Sequence, residues 1–358
     1  MFESTKQLIL SGVGSAYPCA AYAVGCGDKV YLRDYAGMRQ CNPHKLPLTE
    51  DTLFDIASIS KVVSVTMIAL KLIENSVISP DDKIGKYLET YGNYENCSIY
   101  HLLTHTSGIA PHMPLYRLCK KEEILDTILN SPPLSRVGEE VHYSCLGYIV
   151  LGCILENITG KRLDELANES VFSPLGMITA CYAPNINRPH SPVATTEFRK
   201  DMGIWVSGFV HDENACYLDG VAGNSGVFAT LSDMINFVIM CSLKGRTKDG
   251  TVYLSEHIFR DAIQNKTPGK AQSRGYGFQL KGWQPSPLAD AMSYGSYGHT
   301  GFTGTSFYID AESGLWGIFL TNSVHYGRDE RAEYYKIRRN FYKTIQSEFE
   351  MLLREGKI

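Results

Sequence analysis

Three short stretches of this 358-residue chain hold residue types suited to acyl transfer. The first is Ser58-Ile59-Ser60-Lys61. Residues spaced i, i+3 share one face of a helix. A lysine in an otherwise apolar helix is costly to bury unless paired or neutralised. Burial also lowers its pKa and makes it a possible proton acceptor. A serine beside it at a helix N-terminus, where the dipole favours a developing anion, is a candidate activated nucleophile. The second stretch is Tyr143-Ser144-Cys145. A tyrosine acts as general base or acid when nearby cations lower its pKa. The third is His299-Thr300-Gly301, after a Gly/Tyr/Ser loop. There a small residue on a strand lets a substrate backbone approach closely.

Each stretch also has a plainer reading. Ser58 could be an N-cap and Lys61 could snorkel to the surface. Average usage yields Ser-x-x-Lys about once or twice in such a chain, and it occurs once. Tyr143 alone reads as a packed aromatic. The weight lies in the three together.

The elements that must position these residues are legible in outline. Ala20–Gly25 and Lys29–Tyr35 read as strands around the turn Gly25-Cys-Gly-Asp28, and the first forty residues read as strand hairpins. Asp55–Glu74 reads as a helix apolar almost all round, hence buried and central. From about residue 79 to 219 helices and irregular loops follow, with helices expected at Leu146–Glu156 and Arg162–Val171. Ser232 has the chemistry of an N-cap for an apolar helix through Cys241. Gly275–Leu280, Thr305–Asp310 and Gly314–Asn322 return to strand patterns, and Glu330 to about Arg354 reads as one amphipathic helix. Strands at both ends and helices between predict a sheet built from both termini, with a helical region inserted.

Composition narrows the function classes. Apolar residues make up 44% and charged residues 20%, an ordinary globular balance that excludes a disordered, collagenous or coiled-coil chain. The net charge of −4, without a basic block, implies no nucleic-acid partner. No apolar run is long enough to span a membrane, and the N-terminus lacks a basic and apolar leader. A cytoplasmic chain without a membrane partner is the expectation. The ten cysteines are scattered without a C-x-x-C and read as free thiols in a reducing compartment. His101 and His105 are spaced i, i+4, but no His-Glu-x-x-His accompanies them, so they read as structural. His211-Asp212 reads as a loop turn or a substrate-loop pair. No Gly-x-Ser-x-Gly elbow, phosphate-binding loop or dinucleotide fingerprint is present.

Ser58-x-x-Lys61, Tyr143-Ser-Cys145 and His299-Thr-Gly301, in that order, resemble the serine β-lactamase and penicillin-binding-protein superfamily. The tyrosine in the second motif is similar to the class C β-lactamase, DD-peptidase and family VIII esterase branch. Thr52–Lys61, Ser79–Leu88, Ile99–Ile109, Ser173–Met177 and Val221–Thr230 also look like family segments, and the likeness covers roughly residues 15 to 325.

The resemblance implies an α/β (α+β) fold: a β-lactamase/transpeptidase-like antiparallel sheet flanked by helices, with an inserted helical subdomain. One domain would span 1–358, with sheet regions at about 1–78 and 225–358 and the insert at about 79–224. It implies that Ser58 attacks a carbonyl to form an acyl-enzyme and that Lys61 and Tyr143 relay the proton. The backbone N–H groups of Ser58 and Phe302 would form the oxyanion hole. Cys145, His299, Thr300 and Gly301 would contact substrate, with His299 opposite Tyr143, holding a carboxylate or polarising the tyrosine. No metal or organic cofactor is implied. Two positions depart from the family pattern. Cys145 stands where Asn is usual, and a thiol donates and accepts only weakly. His299 stands where Lys is frequent, and a histidine is only partly charged near neutral pH. Both shift the expected substrate from β-lactams toward a small-molecule ester or a narrow range of amides. A DD-carboxypeptidase or β-lactamase acting on peptide-like substrates is the alternative. A non-catalytic binding protein is the second alternative, favoured by Cys145 and disfavoured by the intact Ser58, Lys61 and Tyr143. As a nucleophile in its own right Cys145 is disfavoured, because buried thiols are usually inert.

Overall fold

Strand β1 (Cys19–Cys26) lies between two neighbours, β2 (Lys29–Gln40) and the late strand β7 (Leu315–Thr321), and is buried on both faces because a core packs on each side of the sheet. A computed structural model describes residues 1–358 apart from 89–91, 201, 283–285, 289 and 330. Its main sheet adds β3 (Leu46–Pro47), β4 (Gln279–Leu280), β5 (Tyr297–Thr300) and β6 (Ser306–Ile309). The order is β3-β2-β1-β7-β6-β5-β4, antiparallel throughout. Ala20 pairs with Thr321 and Cys26 with Leu315, so the N-terminal hairpin and the C-terminal strands form one sheet, as the sequence predicts.

Alternation along these strands feeds two cores. Ala21, Ala23, Ile318 and Leu320 face the interior cluster around the Ser58 helix. Tyr22, Val24, Leu315 and Phe319 face the C-terminal helix α5 (Ala332–Arg354) through Tyr334, Ile337 and Phe341. Gly317 permits that docking, since a Cβ there would lie 2.7 Å from Ile345 Cδ1. Helix α5 starts two residues after the expected Glu330, which lies outside the described residues.

The first residues differ from the expected hairpins. Glu3–Gly12 is a helix, α1, packed on α5 through Ile9 and Phe2. Its orphan N–H groups are satisfied from the far end of the chain. Glu348 accepts from Ser4 N (2.9 Å), Thr5 N (3.1 Å) and Thr5 Oγ1 (2.6 Å). A carboxylate at a helix N-terminus satisfies donors and opposes the dipole.

The segment through Ser58 is a composite helix. It opens with a 3₁₀ turn at Ala57–Ile59, widens to π-helical turns over Lys61–Thr66, and becomes α-helical at α2 (Met67–Glu74). Residues 59–70 are buried, as the all-round apolar pattern predicts. Its buried hydroxyls are partnered: Ser60 accepts from Val227 N (3.1 Å), Ser64 from Tyr182 Oη (2.9 Å), and Thr66 meets Tyr148 Oη (3.3 Å). Ahead of it, Phe54–Asp55 pairs with Val227–Ala229, which also pairs with Cys181–Tyr182.

Between the sheet's two contributions run short helices and α3 (Cys145–Thr159), capped by Ser144 Oγ accepting from Gly147 N (2.9 Å) and closed by Gly160 at φ 68°. Helix α4 (Leu231–Ser242) covers the interior face; its N-cap is Thr230, two residues before the expected Ser232, in a capping box with Asp233. Of Gly275–Leu280 only Gln279–Leu280 pairs as a strand. Among the described residues no helix is long and apolar enough to cross a membrane.

Candidate active site

Lys61 is fully buried, yet each of its three N–H bonds has an acceptor. Nζ donates to Ser58 Oγ at 3.1 Å, to Asn224 O at 2.7 Å and to Cys145 Sγ at 3.5 Å. The i, i+3 spacing supplies the first, the N-terminus of α3 the last. The Asn224 carbonyl reaches Lys61 because the 221–226 loop lies against α3. A Cβ on Gly223 would collide with Tyr148 O. Burial by itself lowers the lysine pKa, but Cys145 and Tyr143 raise it further, and the net direction is upward. Lys61 is therefore held as an ammonium, the opposite of the direction expected from burial alone. It donates to Ser58 in the resting site.

The turn carrying Ser58 is strained. Ala57, the residue before it, has φ 48°, a conformation costly for any residue with a Cβ. Its surroundings fix it there. Asp55 Oδ1 accepts from Ala57 N (2.8 Å), Thr303 Oγ1 donates to Asp55 O (2.8 Å), and Thr305 Oγ1 donates to Ile56 O (3.1 Å). Gly301 packs on the same turn. A Cβ there would sit 2.5 Å from Ile56 O and 3.3 Å from Ala57 Cβ. The glycine thus makes room for the protein's own nucleophile turn. Neither Ser58 N nor Phe302 N has an acceptor within the chain among the described residues.

Tyr143 closes the other side. Its ring lies 5.0 Å from Lys61 Nζ, 5.1 Å from the Arg274 guanidinium carbon, and 5.8 Å from the His299 ring. Its hydroxyl is buried and without a hydrogen-bond partner among the described residues. His105 stacks at 4.5 Å and accepts from Ser144 N at Nδ1 (3.0 Å), which fixes the Tyr143-Ser144 backbone. His101 Nδ1 meets the Ser98 hydroxyl and backbone N–H. Both histidines serve as structural hydrogen-bonding groups.

His299 is buried, and its Nδ1 pairs with Thr300 O (2.8 Å), leaving Nε2 without a partner among the described residues. Burial, helped by the nearby Arg274 and Lys61 charges, lowers its pKa to about 3. It is neutral near pH 7, so the partial positive charge expected for it is absent. Positive charge comes instead from three arginines that the sequence reading missed. Arg274, Arg331 and Arg338 line a cavity of about 260 Å³ with Ser58, Tyr143, Gln279, His299, Thr300, Gly301, Phe302 and Tyr335. Cys145 is not in its wall; it touches the site through Lys61. A larger cavity of about 660 Å³, lined by Ile68, Leu72 and Tyr253, contains none of the reactive residues.

Asp55 was also missed. It accepts from Ala57 N and from His211 N (2.7 Å), and burial raises its pKa to about 6. His211 stacks on Phe302 at 5.6 Å, with Nε2 3.2 Å from Glu197 Oε1, so it does lie beside the site. Asp212 caps the helix Glu213–Tyr217 by accepting from Ala215 N (2.8 Å). No local pattern marks Asp55 or the arginines; the glycines at 223 and 301 were the visible signals.

Ser58 and Tyr143 thus line one cavity, with the buried Lys61 against Ser58, beside an antiparallel sheet flanked by helices. The chain belongs to the Beta-lactamase family, whose model matches residues 6–340. It is 28% identical to a "Putative D-alanyl-D-alanine carboxypeptidase" of Escherichia coli (strain K12), over 77% of this chain and 70% of that one. It is 25% identical to an N-acetylmuramyl-L-alanine amidase of Bacillus subtilis (strain 168), over 90% of this chain and 81% of that one. Its fold superimposes on EstCE1, a hydrolase with promiscuous acyltransferase activity, with a TM-score of 0.75 and 19% identity, covering 95% of this chain and 97% of that one. The carboxypeptidase and amidase relatives are consistent with a serine hydrolase.

Proposed function

We propose that the protein hydrolyses an ester or amide of a small molecule through an acyl-enzyme on Ser58, with an ester as the leading substrate. The observation that carries this reading is the Lys61 ammonium donating to Ser58 Oγ at 3.1 Å beside the cavity. A charge-assisted donor at Oγ stabilises the alkoxide that forms as the hydroxyl proton leaves. Because Lys61 already carries its proton, the base is Tyr143 reacting as the phenolate beside the Lys61 and Arg274 cations, and its oxygen takes the Ser58 proton. Oγ then bonds to the substrate carbonyl carbon, whose oxygen turns to the N–H groups of Ser58 and Phe302. Collapse breaks the bond to the leaving group, which receives the proton from Tyr143. Water repeats the sequence on the acyl carbon: its proton passes to Tyr143, the acyl–Oγ bond breaks, and Ser58 regains a proton. His299 and Thr300 line the acyl position, and Cys145 positions Lys61.

Intact-protein mass spectrometry after exposure to a fluorophosphonate, and separately to a penicillin, tests this. One adduct on the wild type that vanishes in Ser58→Ala is expected. The probe that labels the protein separates an esterase from a penicillin-recognising peptidase. No adduct with either on folded protein would replace the reading with that of a binding protein.

A further inference from the structure

Three arginines in one small cavity, with no acid to balance them, are expensive. Arg274, Arg331 and Arg338 are each more than nine-tenths buried, and none has a carboxylate partner among the described residues. Guanidinium groups stay charged in proteins, and a buried charge without a counter-charge costs several kcal/mol by general experience of buried ion pairs. Each also keeps a buried N–H without an acceptor among the described residues: Nη1 of Arg274, Nε of Arg331 and Nε of Arg338.

These side chains are not free to swing out to water. Arg274 is clamped by Gln272 Oε1, which accepts from Nε (3.2 Å) and Nη2 (2.6 Å). Arg331 donates through Nη1 to Phe302 O and through Nη2 to Tyr335 Oη (2.8 Å). The Tyr335 ring lies between reach of both C-terminal arginines, 5.3 Å from the Arg331 guanidinium carbon and 5.2 Å from that of Arg338. Lys61 adds a fourth cation nearby, while His299 adds none. The chain as a whole has a net charge of −4, so the positive charge is concentrated here.

We propose that this cavity selects an acyl substrate carrying two negative charges near the scissile bond, either a pair of carboxylates or one phosphoryl group, seated on Arg274, Arg331 and Arg338. This rests on the acyl-enzyme reading above and names its substrate class. A single carboxylate accepts well from one guanidinium fork and leaves the remaining buried charge uncompensated. A dianion compensates most of it. Arg331 links recognition to chemistry, because it holds the carbonyl of Phe302, the residue whose N–H faces the developing oxyanion.

The test uses matched p-nitrophenyl esters: butyrate (neutral acyl group), glutarate (one carboxylate), tricarballylate (two carboxylates) and 3-phosphonopropionate (one phosphonate). Wild type should show kcat/KM rising about tenfold or more from the monoanion to at least one dianion, a step of about 1.4 kcal/mol. The better dianion identifies the carboxylate or phosphoryl source. Arg338→Gln and Arg274→Gln should each reduce turnover of that dianion at least tenfold more than turnover of the butyrate ester, with Arg338→Lys recovering part of the difference. Because either glutamine variant can fail to fold, thermal unfolding of Ser58→Ala protein with free tricarballylate, phosphate and butyrate provides a second readout. A greater upward shift with a dianion than with butyrate is expected. Equal shifts, or a wild type that prefers the neutral ester, would overturn the proposal. If Ser58→Ala hydrolyses every ester as the wild type does, the acyl-enzyme reading fails, while dianion binding still reports on the cavity.

Discussion

The Cys145 sulfur lies 3.5 Å from Lys61 Nζ and serves as the third acceptor of an ammonium otherwise held by Ser58 Oγ and Asn224 O. A thiol accepts weakly where an amide oxygen accepts well. Replacing Cys145, which lies outside the cavity wall, with the longer Asn supplies a stronger acceptor to Lys61 and extends an N–H₂ donor toward the cavity, where a substrate amide would sit. Cys145→Asn should therefore raise amide turnover relative to ester turnover, by roughly tenfold for one well-made hydrogen bond of about 1.4 kcal/mol. Paired assays with an anilide and a phenyl ester of the same acyl group measure that ratio, and an unchanged ratio would show that Cys145 does not limit amide hydrolysis.

Lys61 itself should separate chemistry from stability. Lys61→Met removes the charged donor to Ser58 Oγ and should lower the rate of fluorophosphonate labelling by about 10²–10³-fold, the range for losing one preorganised donor to a developing anion. Stability should change much less, since relief of a buried charge offsets the unpaired Asn224 carbonyl, each worth a few kcal/mol at most. Labelling rate and melting temperature, read on one sample, test both halves.

Much of this site is written locally, and what is not has a physical reason. Ser58 and Lys61 share a helix face by spacing alone, and the apolar run around them announces burial. The strand patterns at Ala20–Gly25, Thr305–Asp310 and Gly314–Asn322 announce a sheet built from both ends of the chain. Helix α1 escaped because its cap, Glu348, lies at the other end of the chain. Arg331 and Arg338 escaped because α5 reads as an amphipathic surface helix, where arginines are ordinary; only the docked fold turns them into the cavity. The direction of the Lys61 shift was missed because Cys145, Tyr143 and Asp212, all distant in sequence, come close enough in the fold to outweigh desolvation.

Gly301 should tolerate no side chain. A Cβ would meet Thr305 Oγ1 and the Ile56 carbonyl, both of which hold the strained Ala57 turn. Gly301→Ala is expected to destabilise the protein by about 1–3 kcal/mol, as overpacking does, and to slow acylation by shifting Ser58. Chemical denaturation together with the labelling rate checks this. Wild-type values for both would remove the glycine from the account of the nucleophile turn.

Glu348 should matter far from where it sits in the sequence. Glu348→Ala strips three donors at the start of α1 of their acceptor. Loss of such a cap costs about 1–2 kcal/mol, and the first effect should be local fraying. Hydrogen exchange within residues 3–12 should accelerate while the strands of the main sheet keep their protection. Uniform acceleration across the sheet would instead make α1 part of the global folding unit.

Stability should fall on acidification, and the sign follows from groups around the site. Burial lowers the pKa of His299 to about 3 and that of His105 well below its ordinary 6.5. Below pH 6.5 the unfolded chain binds protons at these positions that the folded chain refuses. Their contribution is therefore complete above that pH and is lost as pH drops, by up to about 1.4 kcal/mol per pH unit for each group. His101 and His325, also lowered by burial, act in the same direction. Asp55 opposes them: burial raises it from 3.8 to about 6, so between those values the folded state binds more protons than the unfolded one. The slope should thus grow as pH falls through 6.5 and toward 5, with Asp55 subtracting about one group's share as it protonates around pH 6. Urea denaturation from pH 8 to pH 5 measures it. His299→Gln, which removes one titrating group while keeping a polar side chain, should flatten the slope by about one group's share. A variant as acid-sensitive as the wild type would mean that His299 titrates normally and carries charge at the site after all.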